Sequence, residues 1–174
     1  GTAIMGRLNY TLMNRYFLTL SIRRDGYSAF GMENPYATFP SGALAWNLSD
    51  ESFFNIKWIN NLKIRASYGI NGNRDIGIYD ALAKLETNKY LTGSTLISGI
   101  YSSSLANQYL KWEKTKALNL GLDFSVLNSR LNGSVDYYSM ITNDLLLKRS
   151  LPTIIGYNNV MSNMGELQNK GFEM

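Results

Sequence analysis

LKIRASYGI, residues Leu62 to Ile70, decides the fold. Leu62, Ile64, Ala66, Tyr68 and Ile70 alternate with Lys63, Arg65, Ser67 and Gly69 without a break, the period of two that marks a strand with one apolar and one polar face. Upstream, Gly42, Leu44, Trp46 and Leu48 oppose Ser41, Ala43 and Asn47 in another strand, and SDESFFNIKWIN makes a compact connection between the two. Further upstream the pattern repeats twice. Ile4, Gly6, Leu8, Tyr10 and Leu12 share one face against Arg7, Asn9 and Thr11. After a tight turn at Asn14-Arg15, Tyr16, Leu18, Leu20 and Ile22 oppose Thr19, Ser21 and Arg23. This is a hairpin, followed by a longer loop from Asp25 to Tyr36 that is rich in turn residues.

Downstream, a Ser- and Gly-rich segment runs from Asn71 to about Tyr109, with a short helix expected near Tyr79 to Leu85. Leu118, Leu120, Leu122 and Phe124 then alternate with Asn119, Gly121 and Asp123. Past a short LNS turn, Leu131, Gly133, Val135 and Tyr137 alternate with Arg130, Asn132, Ser134 and Asp136. An irregular stretch from about Lys148 to Met164 leads to a last strand-like start at Gly165.

Composition narrows the function. Of 174 residues, 45% are hydrophobic and 17% charged, and the 13% aromatic content includes 12 Tyr, which favours extended structure. No Cys and no His are present, so thiolate chemistry, disulfides, zinc motifs and Ser-His-Asp catalysis are excluded. No metal or cofactor site is expected, and no enzyme. The net charge of +4 is spread along the chain without a basic run, which argues against nucleic acid. The opening GTAIMGRLNYTLMNRYFLTL breaks every apolar stretch with polar residues and does not read as a signal peptide, and no stretch is apolar enough to cross a bilayer as a helix.

A membrane barrel explains the layout better than a soluble sandwich. The connections alternate short and long, as periplasmic turns and extracellular loops do in outer-membrane barrels. About ten residues at ~3.3 Å each, tilted by ~40°, rise about 25 Å, the height of the apolar band. Tyr10, Tyr16, Trp46 and Phe124 fall near the short turns, and Tyr68 and Tyr137 toward the long loops, as two interfacial girdles. Lipid offers no hydrogen bonds to a backbone, so such strands must pair laterally and close. The chain is therefore read as all-β: a partial segment, about six or seven antiparallel strands, of a large transmembrane β-barrel. The alternative is a soluble secreted β-sandwich that binds carbohydrate.

Five ordered blocks carry a family resemblance. GRLNYTLMNRYFLTLSIRRDGYSAFG (Gly6 to Gly31) resembles the strand-turn-strand and RRDG loop of SusC/RagA-type TonB-dependent outer-membrane transporters. ATFPSGALAWNLSDESFF (Ala37 to Phe54) and LKIRASYGINGN (Leu62 to Asn73) are similar to that family's next two elements. LKWEKTKALNLGLDFSVLNSRLNGSVDYYSMITNDLLL (Leu110 to Leu147) and NMGELQNKGFEM (Asn163 to Met174) resemble its final two. Departures are small: Asn47 after Trp46, and Tyr27 and Ala29 where the family often has Ser and Arg. The resemblance implies that residues 1–174 are part of a single barrel domain of about 22 strands, closed by a plug that is absent here. It implies import of a glycan or peptide across the outer membrane of a Gram-negative bacterium. TonB acting through the plug, a SusD-like surface lipoprotein and membrane lipid are the implied partners.

Two sets of residues stand out as candidate sites. Tyr27, Phe30 and Tyr36 in the first long loop, and Tyr90, Tyr101 and Tyr109 in the second, offer rings that stack on a sugar or peptide, or else pack the loops. Arg65, Asp123 and Asp136 are charges on the lumen face, able to tune solute passage or simply to pair with one another. Asp123 with Asp136 is not read as a glycosidase pair, since no supporting motif accompanies it. Gly69 to Asn73 lacks the Lys-Ser/Thr ending of a phosphate loop and reads as a turn. The tripeptides at Asn9, Asn47 and Asn132 that match glycosylation acceptors lie on or beside strands and read as chance.

Overall fold

Alternating segments joined by tight turns pair with their chain neighbours, because the turn delivers each strand beside the last. A computed structural model describes residues 1–30, 33–78 and 80–174. Its strands are β1 (Thr2–Leu12), β2 (Tyr16–Gly26), β3 (Tyr36–Asn47), β4 (Ile59–Asn73), β5 (Leu85–Thr92), β6 (Thr95–Ser102), β7 (Ser104–Leu105), β8 (Glu113–Val126), β9 (Leu131–Asn143), β10 (Leu146–Ser150), β11 (Asn159–Asn163) and β12 (Glu166–Glu173). Seven of them form one sheet in the order β1-β2-β3-β4-β8-β9-β12. Every pairing in it is antiparallel.

The short turns explain the sharpness of the reversals. Met13 and Asn14 both have positive φ, 52° and 54°, and the Arg15 N–H donates to Leu12 O, which is a type I′ turn whose twist suits a hairpin. At the other short turn Leu127, Asn128 and Ser129 all lie in the left-handed region, and Arg130 N–H closes on Leu127 O. Asn is the residue most at ease there after glycine. Pro40 sits where β3 pairs with β2 alone, since the β3–β4 ladder starts one residue later at Ser41 and Gly69. Its missing N–H therefore leaves no β4 carbonyl short of a ladder donor.

The register makes each face continuous. On one face Trp46, Ile64, Leu122 and Val135 form a row. Leu44, Ala66, Leu120, Tyr137 and Phe172 form the next. None of the described residues covers these rows: Ile64 is 40% exposed, Leu120 45% and Leu122 37%. A sandwich would bury this face against a second sheet, so the sandwich alternative does not describe the fold. Tyr137 lies mid-strand and packs on Phe172 at 5.0 Å rather than toward the long loops, which thins the outer girdle. The inner one is tighter, with Tyr16 and Trp46 stacked at 6.1 Å.

The compact link between β3 and β4 folds back onto that aromatic pair. Its Glu51 accepts from Tyr16 Oη at 2.5 Å, Trp46 Nε1 at 3.0 Å and an Arg15 guanidinium nitrogen at 3.2 Å. The Tyr16 hydroxyl first, then the indole N–H and Arg15, hold the Glu51 carboxyl below its ordinary range.

The chain does have a dry core, but it lies among the long connections at one end of the sheet. Phe30, Phe39, Leu110, Trp112 and Met161 meet there, drawn from loops and strand ends far apart in sequence. Leu110 is fully buried and Trp112 is 2% exposed. The Trp112 ring lies 5.0 Å from Phe30 and 5.6 Å from Phe39. Its indole N–H has no acceptor among the described residues, so ring packing fixes its place.

These connections are more ordered than their composition suggests. β5 and β6 form a hairpin across Gly93-Ser94, with Gly93 at φ 63°. β10, β11 and β7 form a small separate sheet in which β11 and β7 run parallel. Gly31, which ends the RRDG block, and Tyr79, where the helix was to begin, lie outside the described residues. The rest of that expected helix does not form. Asp80 to Leu82 turn instead, Asp80 accepts the Gly77 N–H at 2.9 Å, and the Lys84 N–H goes to Ser104 Oγ at 3.0 Å. The Lys84 N–H is thus spent on a side chain 20 residues away, and Leu85 already belongs to β5.

Candidate functional site

On the polar face, register brings three charges of distant sequence together. Arg65 pairs across the ladder with Gly121, which pairs with Asp136, and Lys63 opposite Asp123 sets that carboxylate diagonal to Arg65. Arg65 Nε donates to Asp123 Oδ2 at 2.9 Å and one Nη to Oδ1 at 2.7 Å, a two-pronged grip. The same Nη donates to Asp136 Oδ1 at 3.0 Å. Gly121 makes this possible: a Cβ there would stand 2.5 Å from Asp136 Oδ1 and 2.7 Å from Arg65 Cζ. Arg65 and Asp123 are each more than a third exposed, so solvent limits the stabilisation to about 1 kcal/mol or less. The cluster's main effect is geometric, since it pins a guanidinium flat against the wall.

Nearer the long connections the same face holds a cleft of about 440 Å³, lined by Arg7, Ser21, Arg23, Asp25, Ser41 and Asn71 among others. Arg23 Nε donates to the buried Asp25 at 2.7 Å, and the Ser21 and Ser41 hydroxyls share a hydrogen bond of 2.7 Å. Reading the sequence strand by strand does not single out Arg7 and Arg23. The signal was in the hairpin register, which pairs Arg7 with Ser21 and Met5 with Arg23, so the two guanidinium groups become diagonal neighbours.

The six loop aromatics do not form one platform. Phe30 is 3% exposed and packs inside the loop core against Trp112 and, edge-on, against Tyr27. That gives its ring a packing role and leaves no face open to a solute. Tyr27 is half-buried beneath the Arg74 guanidinium at 4.7 Å. Tyr36 is exposed, with Arg24 over its ring at 5.2 Å. Tyr90 and Tyr101 share one face of the β5–β6 hairpin, and Tyr101 donates to Glu86 at 3.1 Å. That bond to a carboxylate holds the Tyr101 hydroxyl above its usual range. Tyr109 is exposed, with its carbonyl accepting from Asn34 at 3.4 Å.

A wide antiparallel sheet, apolar and uncovered on one face and charged on the other, with its core confined to loops at one end, is a wall segment of a membrane-spanning β-barrel. The chain belongs to the family described as TonB dependent receptor-like, beta-barrel, whose model matches residues 1–174. It is 44% identical over 172 residues to TonB-dependent receptor P3 of Formosa agariphila, covering 98% of this chain and 17% of that protein. It is 41% identical over 175 residues to TonB-dependent receptor SusC of Bacteroides thetaiotaomicron, covering 97% of this chain and 17% of that one. Among solved structures, the RagAB peptide transporter superposes with a TM-score of 0.86 at 31% identity, over 98% of this chain and 19% of its own. The chain thus spans about a sixth of the length of the curated relatives it matches.

Proposed function

We propose that this segment forms part of the wall of an outer-membrane transporter that imports a glycan or peptide nutrient. The observation that carries this reading is the sheet's two-sidedness. Its apolar face suits lipid, and its opposite face, which carries Arg65, Asp123 and Asp136, suits a water-filled lumen. Of the loop aromatics, Tyr36, Tyr90, Tyr101 and Tyr109 are open enough to meet a solute, with Tyr27 at the margin. The reading includes a plug elsewhere in the protein that takes energy from TonB, and a SusD-like lipoprotein over the mouth. A peptide as cargo draws support from the likeness to the RagAB peptide transporter. A glycan draws support from the family resemblance alone.

The test is growth of a deletion strain on single glycans and single peptides as sole nutrient. Loss of growth on one of them, restored by the intact gene, is expected. Unimpaired growth and uptake on every glycan and peptide tried would remove the nutrient-import reading.

A further inference from the structure

The apolar face is not uniform. Near the short-turn end it dips into a groove of about 510 Å³. Tyr10, Leu18, Leu44 and Ala66 follow one another across its floor in a single register row, and Ala66, the smallest of them, makes the low point. Tyr16 and Trp46 belong to the next row and wall it, their rings nearly parallel at an interplanar angle of 16°. Both rings are tied to Glu51 through their polar atoms, so the wall is held upright without a ligand.

The polar groups near this groove lie at one end only. Arg15, in the turn before Tyr16, gives one guanidinium nitrogen to Glu51 at 3.2 Å, and its side chain is still 36% exposed. Its guanidinium makes no other hydrogen bond among the described residues. A groove with an apolar body and, beyond one end, an Arg15 guanidinium that spends only one nitrogen on Glu51 suits an amphiphile with one acyl tail in the groove and a phosphate head beside the arginine. The groove is also continuous with the face that meets the bilayer, and short turns in such barrels lie on the periplasmic side.

We propose that this groove seats an acyl chain of a phospholipid from the periplasmic leaflet, with the lipid phosphate held by Arg15. The assignment rests on the membrane-wall reading above but not on the identity of the solute. Ala66 leaves room for the chain, Tyr16 and Trp46 flank it, and Glu51 keeps both rings and Arg15 in position. Lipid A, the acylated phosphate amphiphile of the opposite leaflet, lies on the long-loop side and should not reach this end.

The test uses the purified full-length transporter in detergent, titrated with palmitoyl-oleoyl phosphatidylethanolamine and read by native mass spectrometry. The wild type is expected to retain one phospholipid more firmly than the rest. Ala66→Trp fills the groove and should lower its occupancy about tenfold, a change of ~1.4 kcal/mol. Arg15→Gln, which sits in the turn outside the apolar band, should lower it severalfold without touching the groove. Heat-modifiable gel mobility reports whether each variant assembles, and if Ala66→Trp does not, Arg15→Gln decides the matter alone. Occupancy unchanged in the variants that assemble overturns the proposal, and so does lipid A held as firmly as the phospholipid. A wild type with normal heat-modifiable mobility and no firmly held lipid sinks the groove while leaving the barrel. A wild type with no heat-modifiable form sinks both.

Discussion

Ile64→Arg in the full-length transporter is expected to remove most of the heat-modifiable barrel, whereas Arg65→Ile, one residue along, should leave most of it. Ile64 lies in register between Trp46 and Leu122 on the apolar face. A cation there meets hydrocarbon beside the Trp46 girdle, at a cost between the ~1 kcal/mol of the interface and the ~2–4 kcal/mol of the midplane. Arg65 points the other way. Its loss frees Asp123 and Asp136 from a shared partner, but Arg65 and Asp123 are each more than a third exposed, and exposed pairs are worth about 1 kcal/mol or less. Gel mobility of the unheated protein measures both variants. Equal losses would mean that the faces are wrongly assigned.

The second large effect belongs to the loops. Trp112→Ala should destabilise the loop core by about 3–5 kcal/mol, the usual range for removing a buried large aromatic. Phe30 and Phe39 both lose their ring contact with it. Because Trp112 precedes β8 rather than lying within it, the strands should still assemble. The expected result is a transporter of normal heat-modifiable mobility whose long connections are cut by external protease far faster than in the wild type. Unchanged protease resistance would show that these connections are held by something other than this core.

What could be read from the sequence follows from how strongly each segment is two-sided. β4 and β8 carry an unbroken contrast between Leu62, Ile64, Leu118 and Leu120 on one side and Lys63, Arg65, Asn119 and Asp123 on the other, so their faces are legible from period alone. β5 and β6 are strands as well, but Leu85, Thr87, Lys89 and Leu91 share one face. That mixture shows no alternation, and the hairpin reads as loop. The Gly93-Ser94 pair was the one local sign of it.

The candidate site divides in the same way. That Arg65, Asp123 and Asp136 share a face is plain from their strands. That they touch depends on β4 pairing with β8 across a long insertion and on Gly121 having no side chain, neither of which period reports. Phe30 illustrates the opposite limit. An aromatic in a loop reads equally as a stacking surface or as packing, and only its convergence with Leu110, Trp112 and Met161, from separate connections, distinguishes them. Long-range burial of this kind has no sequence period to carry it.

Spin-label accessibility at neighbouring positions of β8 tests the central claim most directly. The segment has no cysteine of its own, so once any cysteine elsewhere in the transporter is replaced, single cysteines at Asn119 and Leu120 can each carry one label in the protein reconstituted in lipid. The account predicts a label at Leu120 that oxygen relaxes and a water-soluble nickel chelate does not, and the reverse at Asn119. Equal access of the nickel chelate to both, or greater access at Leu120, would contradict it.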